Sequence, residues 1–381
     1  MINEMGMGLA RRVLNSQTFS LRGIDWTFRE MLWRYLAPDA IRPQTTNFDQ
    51  LQARSLDLAA VPGMYDPAAN RPHQRGHLSV RIVEDVVLWP SYGGGCTPDG
   101  ALIMDSFHSP QKVDAGLRQH VFKPFPTRRI DETVATLGHF NRNYYHKFAD
   151  SVPRLYSLWH PELRALDRIL LLIDRRFTAD ERRLIESLVP PNVEIVKLGY
   201  LSRVSPRRYV HLPFMGADRV QHSEWFYESA GYLPQEYLTW YRERVFDHFG
   251  IRNPQPRHKL FISRRNARIR RTLNEDEVAI ALEQRGFRTV QLESLSLADQ
   301  VRLLAEAQCV VGQHGAGLTN ILYMSPGARV VELLSTPDQL IHYSLLSENL
   351  GIEHVQLVHH EARKNADITV NVEKLLAAVR G

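Results

Sequence analysis

The chain has 381 residues, 44% of them hydrophobic and 23% charged, with a formal net charge of +5. That length and apolar content bury large cores and predict two domains, while charges of both signs, dispersed along the chain, argue against a nucleic-acid-binding face. No apolar run approaches the ~18 residues of a membrane span, the start MINEMGMGLARRVLNSQ lacks a signal-peptide core, and Cys96 and Cys309 are too few for a metal cage or a disulfide framework; a soluble, cytoplasmic protein is expected.

The first seventy or so residues, punctuated by Pro38, Pro43, Pro62, Pro67 and Pro72, read as helices joined by irregular arms, an extension over 1–75 with no assigned chemistry. From Leu78 the pattern turns to β. Leu78–Val83, Val86–Trp89 and Ala101–Met104 are strands, with Gly93-Gly94-Gly95 and Pro98-Asp99-Gly100 as hairpin turns. A helix follows, with Tyr145, Phe148, Ala149 and Val152 at helical spacing and Asn141 or Asn143 as its N-cap. His146 and Asp150 lie four apart, hence on one face. A carboxylate one turn away orients an imidazole and raises its basicity, the arrangement a general base needs. Alone, the same pair also reads as a contact that merely stabilises the helix.

Alternation comes next. Arg168–Asp174 is a buried strand, Thr178 caps a helix running to Leu188, Val193–Leu198 and Tyr209–Leu212 are strands, and Tyr237–Phe249 is a helix. This βαβ pattern makes a first α/β domain over 76–250, and Asn253-Pro254-Gln255-Pro256 reads as the linker. A second α/β domain, over 258–345, opens with the strand Lys259–Ser263. Its carboxyl end meets Arg264, Arg265, Arg268, Arg270 and Arg271, and Asn274 caps the helix led by Glu275-Asp276-Glu277. After a strand at Gly286–Leu292 and a helix at Leu297–Ala307 comes a short strand, Cys309-Val310-Val311. The loop Gln313-His314-Gly315-Ala316-Gly317, a helix from Leu318 to Met324 and the strand Ala328–Leu334 complete the unit. The tail, 346–381, supplies a strand near Val355–Val358 and a helix from Val372 to Val379, packing back on the core.

The glycine loop carries its own chemistry. Gly315 and Gly317 let a ligand approach the backbone and permit positive φ. The first N–H groups of the next helix lack partners and sit at the positive end of its dipole, so a phosphate fits there. Open α/β sheets bind ligands at such strand ends. His314 adds a donor, and arginines ending the Lys259–Ser263 strand reach the same crevice, each charge-assisted bond to phosphate worth about 1.5–3 kcal/mol. Without a ligand the loop reads as a tight strand-to-helix turn.

Three segments in order, NYYHKFADSVPRL, FISRRNARIRRTLNEDEV and GQHGAGLTNILYMSPGARVVEL, resemble glycosyltransferase family 61 from about Leu78 to the carboxyl end. The resemblance implies an α/β fold of GT-B type, two Rossmann-like domains facing a cleft, here with a β-hairpin-containing N-terminal extension. It implies an inverting transfer from a nucleotide-diphosphate-sugar, UDP-sugar foremost, with no cofactor and no obligatory metal, and the chain has no Asp-x-Asp motif. Carried over by position, Arg264 and Arg268 would contact the diphosphate, and His314 with the backbone of Gly315, Ala316 and Gly317 would close around it. Asn320 would shape the helix start, and Glu332 would reach the nucleotide ribose. Asn143, His146 and Asp150 would lie across the cleft at the acceptor hydroxyl, with His146 or Asp150 as the base. Lys147 stands where the family usually has an aromatic, so acceptor contacts there are expected to differ.

The implied setting is surface-polysaccharide assembly, of capsule or lipopolysaccharide type. Its acceptor is a saccharide or a lipid-linked saccharide, and the latter would bring the protein to the inner face of the membrane. Two other classes stand beside this one. A non-catalytic nucleotide-binding module would keep the glycine loop and arginines but transfer no sugar. A dinucleotide-dependent oxidoreductase would show GxGxxG with an acidic residue about twenty positions on, whereas the loop here is HGAG and Glu332 lies fifteen residues after Gly317.

Overall fold

Residues 44–58, 64–66, 71–73, 79–89, 93–107, 127–138, 143–198, 203–214, 235–335, 342–359 and 364–380 are described by a computed structural model. Most of them are organised by a mixed sheet of ten strands and a parallel sheet of five. The helical arm expected over 1–75 falls largely outside the described residues. Residues up to 43 lie outside the described ones, and the chain then runs extended as β1 (Thr45–Thr46) and β2 (Arg54–Asp57). β3 (Met64–Asp66) and β4 (Arg71–His73) form an antiparallel ribbon, the hairpin expected of the extension.

β5 (Ser79–Val83), β6 (Val87–Trp89), β7 (Gly94–Cys96) and β8 (Leu102–Ile103) follow close to their expected places. β2 pairs with β5 and β1 with β8, so the extension is stitched into the first sheet. The three glycines are not all turn. Gly93 turns, at φ +76°, while Gly94 and Gly95 are strand. A Cβ on Gly94 would meet the Phe107 ring at 2.4 Å, and one on Gly95 the Val87 carbonyl at 2.5 Å.

The parallel half of this sheet has the order β12-β9-β10-β11, from β9 (Thr127–Thr136), β10 (Ile169–Asp174), β11 (Val193–Leu198) and β12 (Arg203–His211). β9 hides in the sequence because Thr-Arg-Arg-Ile-Asp-Glu-Thr-Val-Ala-Thr has no apolar run. Its second half is nonetheless buried, with β10 and β12 paired on its two sides. Between β10 and β11 runs α1 (Ala179–Leu188), closed by a reciprocal cap between Thr178 and Glu181. α2 (Gln235–Phe249) then leads to the second sheet.

That sheet consists of β13 (His258–Ile262), β14 (Phe287–Val290), β15 (Ala307–Gln313), β16 (Arg329–Leu334) and β17 (Glu353–Val358), in the order β14-β13-β15-β16-β17. Counted within the sheet, this is the 2-1-3-4-5 order of doubly wound folds, whose ligand crevice opens between the first and third strands. α3 (Glu275–Glu283), α4 (Leu297–Ala305), α5 (His342–Leu350) and α6 (Val372–Ala378) complete it. α5 straddles the boundary expected at 345, and β17 is a full strand of the sheet, so the tail from 346 finishes this unit. Asn274 departs from its expected capping bond. Its amide instead pairs with both backbone groups of Val370, at 2.8 and 3.0 Å, tying the tail to the start of α3.

Alternating strand residues feed two layers. Leu260, Ile262, Val310 and Val330 join a buried cluster that also holds Ala135, Leu171 and Ile173 of the first sheet and Tyr241 and Val245 of α2. Phe261, Val311 and Val331 face the other way, into a cluster with Val278 of α3 and Leu375 of α6. Both cysteines are buried, and burial pushes the Cys309 thiol up to about 11. Among the described residues no helix is long and apolar enough to cross a membrane.

Candidate active site

β13 and β15 are neighbours, and their carboxyl ends deliver Arg264 and His314 to the point where the strand order reverses. Arg264 lies directly on the glycine loop. A Cβ on Gly315 would come within 2.2 Å of the Arg264 Nη1 atom. A side chain there would have to displace the Arg264 guanidinium, whereas positive φ plays no part; Gly315 is extended (φ 166°), and Gly317 is outside the left-handed region too. Next to Gly317 a Cβ would find only ordinary contacts, with Ile262 and Leu292. The helix that follows, Ala316–Tyr323, is 3-10 rather than α. The N–H groups of Ala316 and Gly317 in its first turn have no acceptor among the described residues.

Arg264 is held from behind. Its Nε donates to the Arg270 carbonyl (2.8 Å) and Nη2 to the Ile269 carbonyl (3.1 Å), while its backbone N–H reaches the carboxylate of Glu275 (3.1 Å). The other oxygen of Glu275 accepts from Ser263 Oγ at 2.6 Å. Burial, and then the positive charge of Arg270, lower Arg264 from the ordinary guanidinium range. Arg270 sits at φ +56°, a left-handed conformation that costs a non-glycine residue on the order of 1–2 kcal/mol. The Arg264 guanidinium thus lies on the bare Gly315 backbone, with the Arg270 charge near enough to lower it.

The remaining arginines divide. Arg265 pairs with Asp276 at the surface, and Arg271 with Asp367 at 2.8 Å, so both already have a carboxylate partner. Arg268, expected beside Arg264, is exposed on the loop and makes no hydrogen bond or ion pair among the described residues. Arg270 is the second cation that the fold gathers with Arg264.

His314 is buried, its Nδ1 at 2.6 Å from Glu332 Oε1. The other oxygen of Glu332 faces His354 Nε2 at 3.0 Å and Gln356 Nε2 at 3.3 Å, and Ser347 Oγ lies 2.8 Å from His354 Nδ1. Burial alone would raise this carboxyl, but the hydrogen bonds from His314 and His354 outweigh it and hold Glu332 at about 2. Glu332 is fully buried, so the expected contact with a ribose is replaced by a supporting one: it fixes the His314 ring. Tyr343 of α5 closes the group, its hydroxyl donating to the Gly315 carbonyl at 2.7 Å and its ring edge-on to His314 at 5.2 Å.

On the first-sheet side, Asn143 accepts the Tyr145 N–H at 2.9 Å and starts the turn that carries His146. The expected regular helix is a π-helix over His146–Ser151 followed by a 3-10 helix over Val152–Trp159. Pro153 has no N–H to continue an α-helical ladder. Single π turns recur at functional sites. His146 Nδ1 lies 2.5 Å from Asp150 Oδ2; the imidazole is 18% exposed and the carboxylate 2%. Lys147 turns toward the helix α1. Its ammonium pairs with Glu181 of α1 at 2.8 Å and reaches the Arg176 carbonyl at 3.2 Å.

The two halves are joined directly. The Tyr144 hydroxyl donates to Asn320 Oδ1 at 2.9 Å, and the Asn320 amide donates to the Gly317 carbonyl and to Gln300, each at 3.2 Å. Asn320 thus ties the helix start to the turn that carries His146. Ring contacts run from His146 to Tyr145 (5.6 Å), on to Tyr343 (5.6 Å) and so to His314. Tyr343 escapes sequence reasoning, which also does not single out Arg270 among its five arginines or give Glu275 its contacts with Ser263 and Arg264. Tyr343 is in no motif, and the left-handed turn that brings Arg270 back leaves no mark in residue order.

Residues 144–331 match the family model described as glycosyltransferase 61. The chain is 32% identical over 118 residues to a β-1,2-xylosyltransferase of Arabidopsis thaliana, covering 28% of this chain and 22% of that one. It is 39% identical over 87 residues to the protein O-linked-mannose β-1,4-N-acetylglucosaminyltransferase 2 of Homo sapiens, and 41% over 87 residues to that of Xenopus tropicalis. Those two alignments cover 21% of this chain and 15% of each relative, so the chain spans less than a quarter of the length of these curated relatives.

Proposed function

Starting from a chain whose residues 144–331 belong to glycosyltransferase family 61, we propose an inverting glycosyltransferase that moves a sugar from a nucleotide-diphosphate-sugar, UDP-sugar foremost, to a saccharide or glycolipid hydroxyl. The observation that carries the reading is Arg264 laid on the Gly315 backbone at the switch point, with Arg270 beside it and the His146–Asp150 pair across the Tyr144–Asn320 latch. We read the two sheets as the Rossmann-like pair of a GT-B enzyme, the first binding acceptor and the second donor. Surface-polysaccharide assembly is the setting that the resemblance implies; the relatives named above are a plant enzyme and vertebrate ones.

Within this reading the roles divide as follows. Asp150 is buried and spent on His146, so His146 is the base and Asp150 orients it. The acceptor hydroxyl gives its proton to His146, its oxygen bonds to the anomeric carbon, and the bond from that carbon to the diphosphate breaks with inversion. Charge growing on the diphosphate falls to Arg264, Arg270, His314 and the N–H groups of Ala316 and Gly317, a preorganised clamp that takes the place of a metal ion. Removing one such donor costs about 10²–10³ in rate.

UDP is expected to raise the melting temperature of the intact protein, and Arg264→Ala to abolish that rise and cut transfer from UDP-sugars to the hundredth level or below, with the chain still folded. Transfer should survive a chelator. A protein that no nucleoside diphosphate stabilises, or an Arg264→Ala variant with parental turnover, would dismiss the reading.

A further inference from the structure

Away from the crevice, a cavity of about 280 Å³ on the first-sheet side is lined by Asp57, Tyr156, Trp159, His160, Trp240 and Arg244, among others. Its aromatic wall forms where the 3-10 helix Val152–Trp159 meets α2. Tyr156 packs edge-on to Trp240 (5.5 Å, 76°) and donates its hydroxyl to Glu236, one turn before Trp240. Arg244, one turn after it, lays its guanidinium over the Trp159 ring at 4.6 Å, and the Trp159 indole donates to the Leu188 carbonyl at 2.8 Å. Tyr156 and Trp159 are thus committed to the wall. The polar groups of Trp240, Asp57 and Arg244 are not. Trp240 is half-buried, and neither its indole N–H, the Asp57 carboxylate nor the Arg244 guanidinium has a hydrogen bond or ion pair among the described residues.

An indole face beside one carboxylate and one guanidinium has no net charge and both hydrogen-bonding senses. A pyranose ring matches it: an apolar C–H face for the indole, hydroxyls that donate to a carboxylate and accept from a guanidinium. A phosphate-bearing ligand would meet Asp57. The volume falls just below the range of about 300–1,000 Å³ usual for drug-sized ligands, which suits a single ring. We infer that this cavity is a second saccharide subsite, holding one neutral pyranose against Trp240 with its hydroxyls on Asp57 and Arg244.

Tyr156 lies ten residues beyond His146 on one helical run, on the order of 15–20 Å at a rise of 1.5–2 Å per residue. Given the acceptor side assigned above, on which this step rests, the bound ring is a remote unit and not the reacting one. The acceptor is then an oligosaccharide of several units, and binding at its far end helps to position the reacting hydroxyl.

The test titrates the full chain with the hexaoses of β-1,4-xylose, β-1,4-glucose and α-1,6-mannose, read by tryptophan fluorescence and by saturation-transfer NMR. At least one binds saturably; Trp240→Ala and the exposed-strand variant Asp57→Asn each weaken it about tenfold or more, and Trp240→Phe keeps most of it. UDP stabilisation stays parental in all three variants. No saturable binding by any hexaose, binding indifferent to both Trp240→Ala and Asp57→Asn, or simple displacement of the hexaose by UDP overturns the subsite. Hexaose binding without any effect of UDP on the same protein counts against the crevice reading and not against this one.

Discussion

A buried carboxylate with a histidine on each oxygen is an expensive arrangement unless both partners stay in place. Glu332 shows the consequence. Its carboxyl is held at about 2, below the ordinary value of 4.5, so it contributes stability that is fully present above pH 4.5 and lost as the pH falls through about 2. The shift corresponds to about 3 kcal/mol at neutral pH. Glu332→Gln should therefore lower stability by about that amount in urea melts at pH 7, with the gap to the parent closing between pH 4.5 and 2. A gap that acid leaves unchanged means Glu332 does not act through its charge. Since Glu332 also fixes the His314 ring, the same variant should shrink the stabilisation by UDP.

At the scale of elements, Lys147 and Glu181 connect the His146 turn to α1. Glu181 serves twice, accepting from the Lys147 ammonium and from the Thr178 backbone N–H at 2.8 Å. Glu181→Ala removes the cap, worth about 0.5–2 kcal/mol, and strands a mostly buried ammonium, so a total loss of about 3–5 kcal/mol is expected. Lys147→Met combined with Glu181→Gln should restore most of it, because apolar volume replaces the stranded charge. Urea midpoints of the single and double variants decide; a double variant no better than Glu181→Ala leaves the loss to the cap alone. α1, with Thr178 before it and Glu181 at its third position, was legible in residue order, since a capping box is local. The π turn was not, since four-residue spacing looks the same in an α-helix.

For the whole molecule, the deciding feature is a core shared by both sheets. One buried cluster runs from Leu56 to Ile352, and the Tyr241 and Tyr323 hydroxyls meet across it at 3.2 Å. Neither half then keeps its burial when the other opens. All six tryptophans precede residue 258, so their fluorescence reports the first half while far-UV dichroism reports both. The two urea transitions should coincide. Separate midpoints would show that the sheets unfold independently and that the Tyr144–Asn320 latch is weak.

By itself the sequence determined the parallel strands of the second sheet, the glycine turn at His314–Gly317, the pairing of His146 with Asp150 and the α/β class, because each rests on short-range periodicity, glycine placement or four-residue spacing. Only tertiary structure decided that Arg270 rather than Arg268 keeps company with Arg264, that Glu332 turns inward to hold His314, that Tyr343 caps the glycine loop and that polar β9 lies inside the sheet. Those outcomes depend on which distant backbone arrives beside each residue. Burial and partners belong to the folded neighbourhood, and no local pattern encodes them.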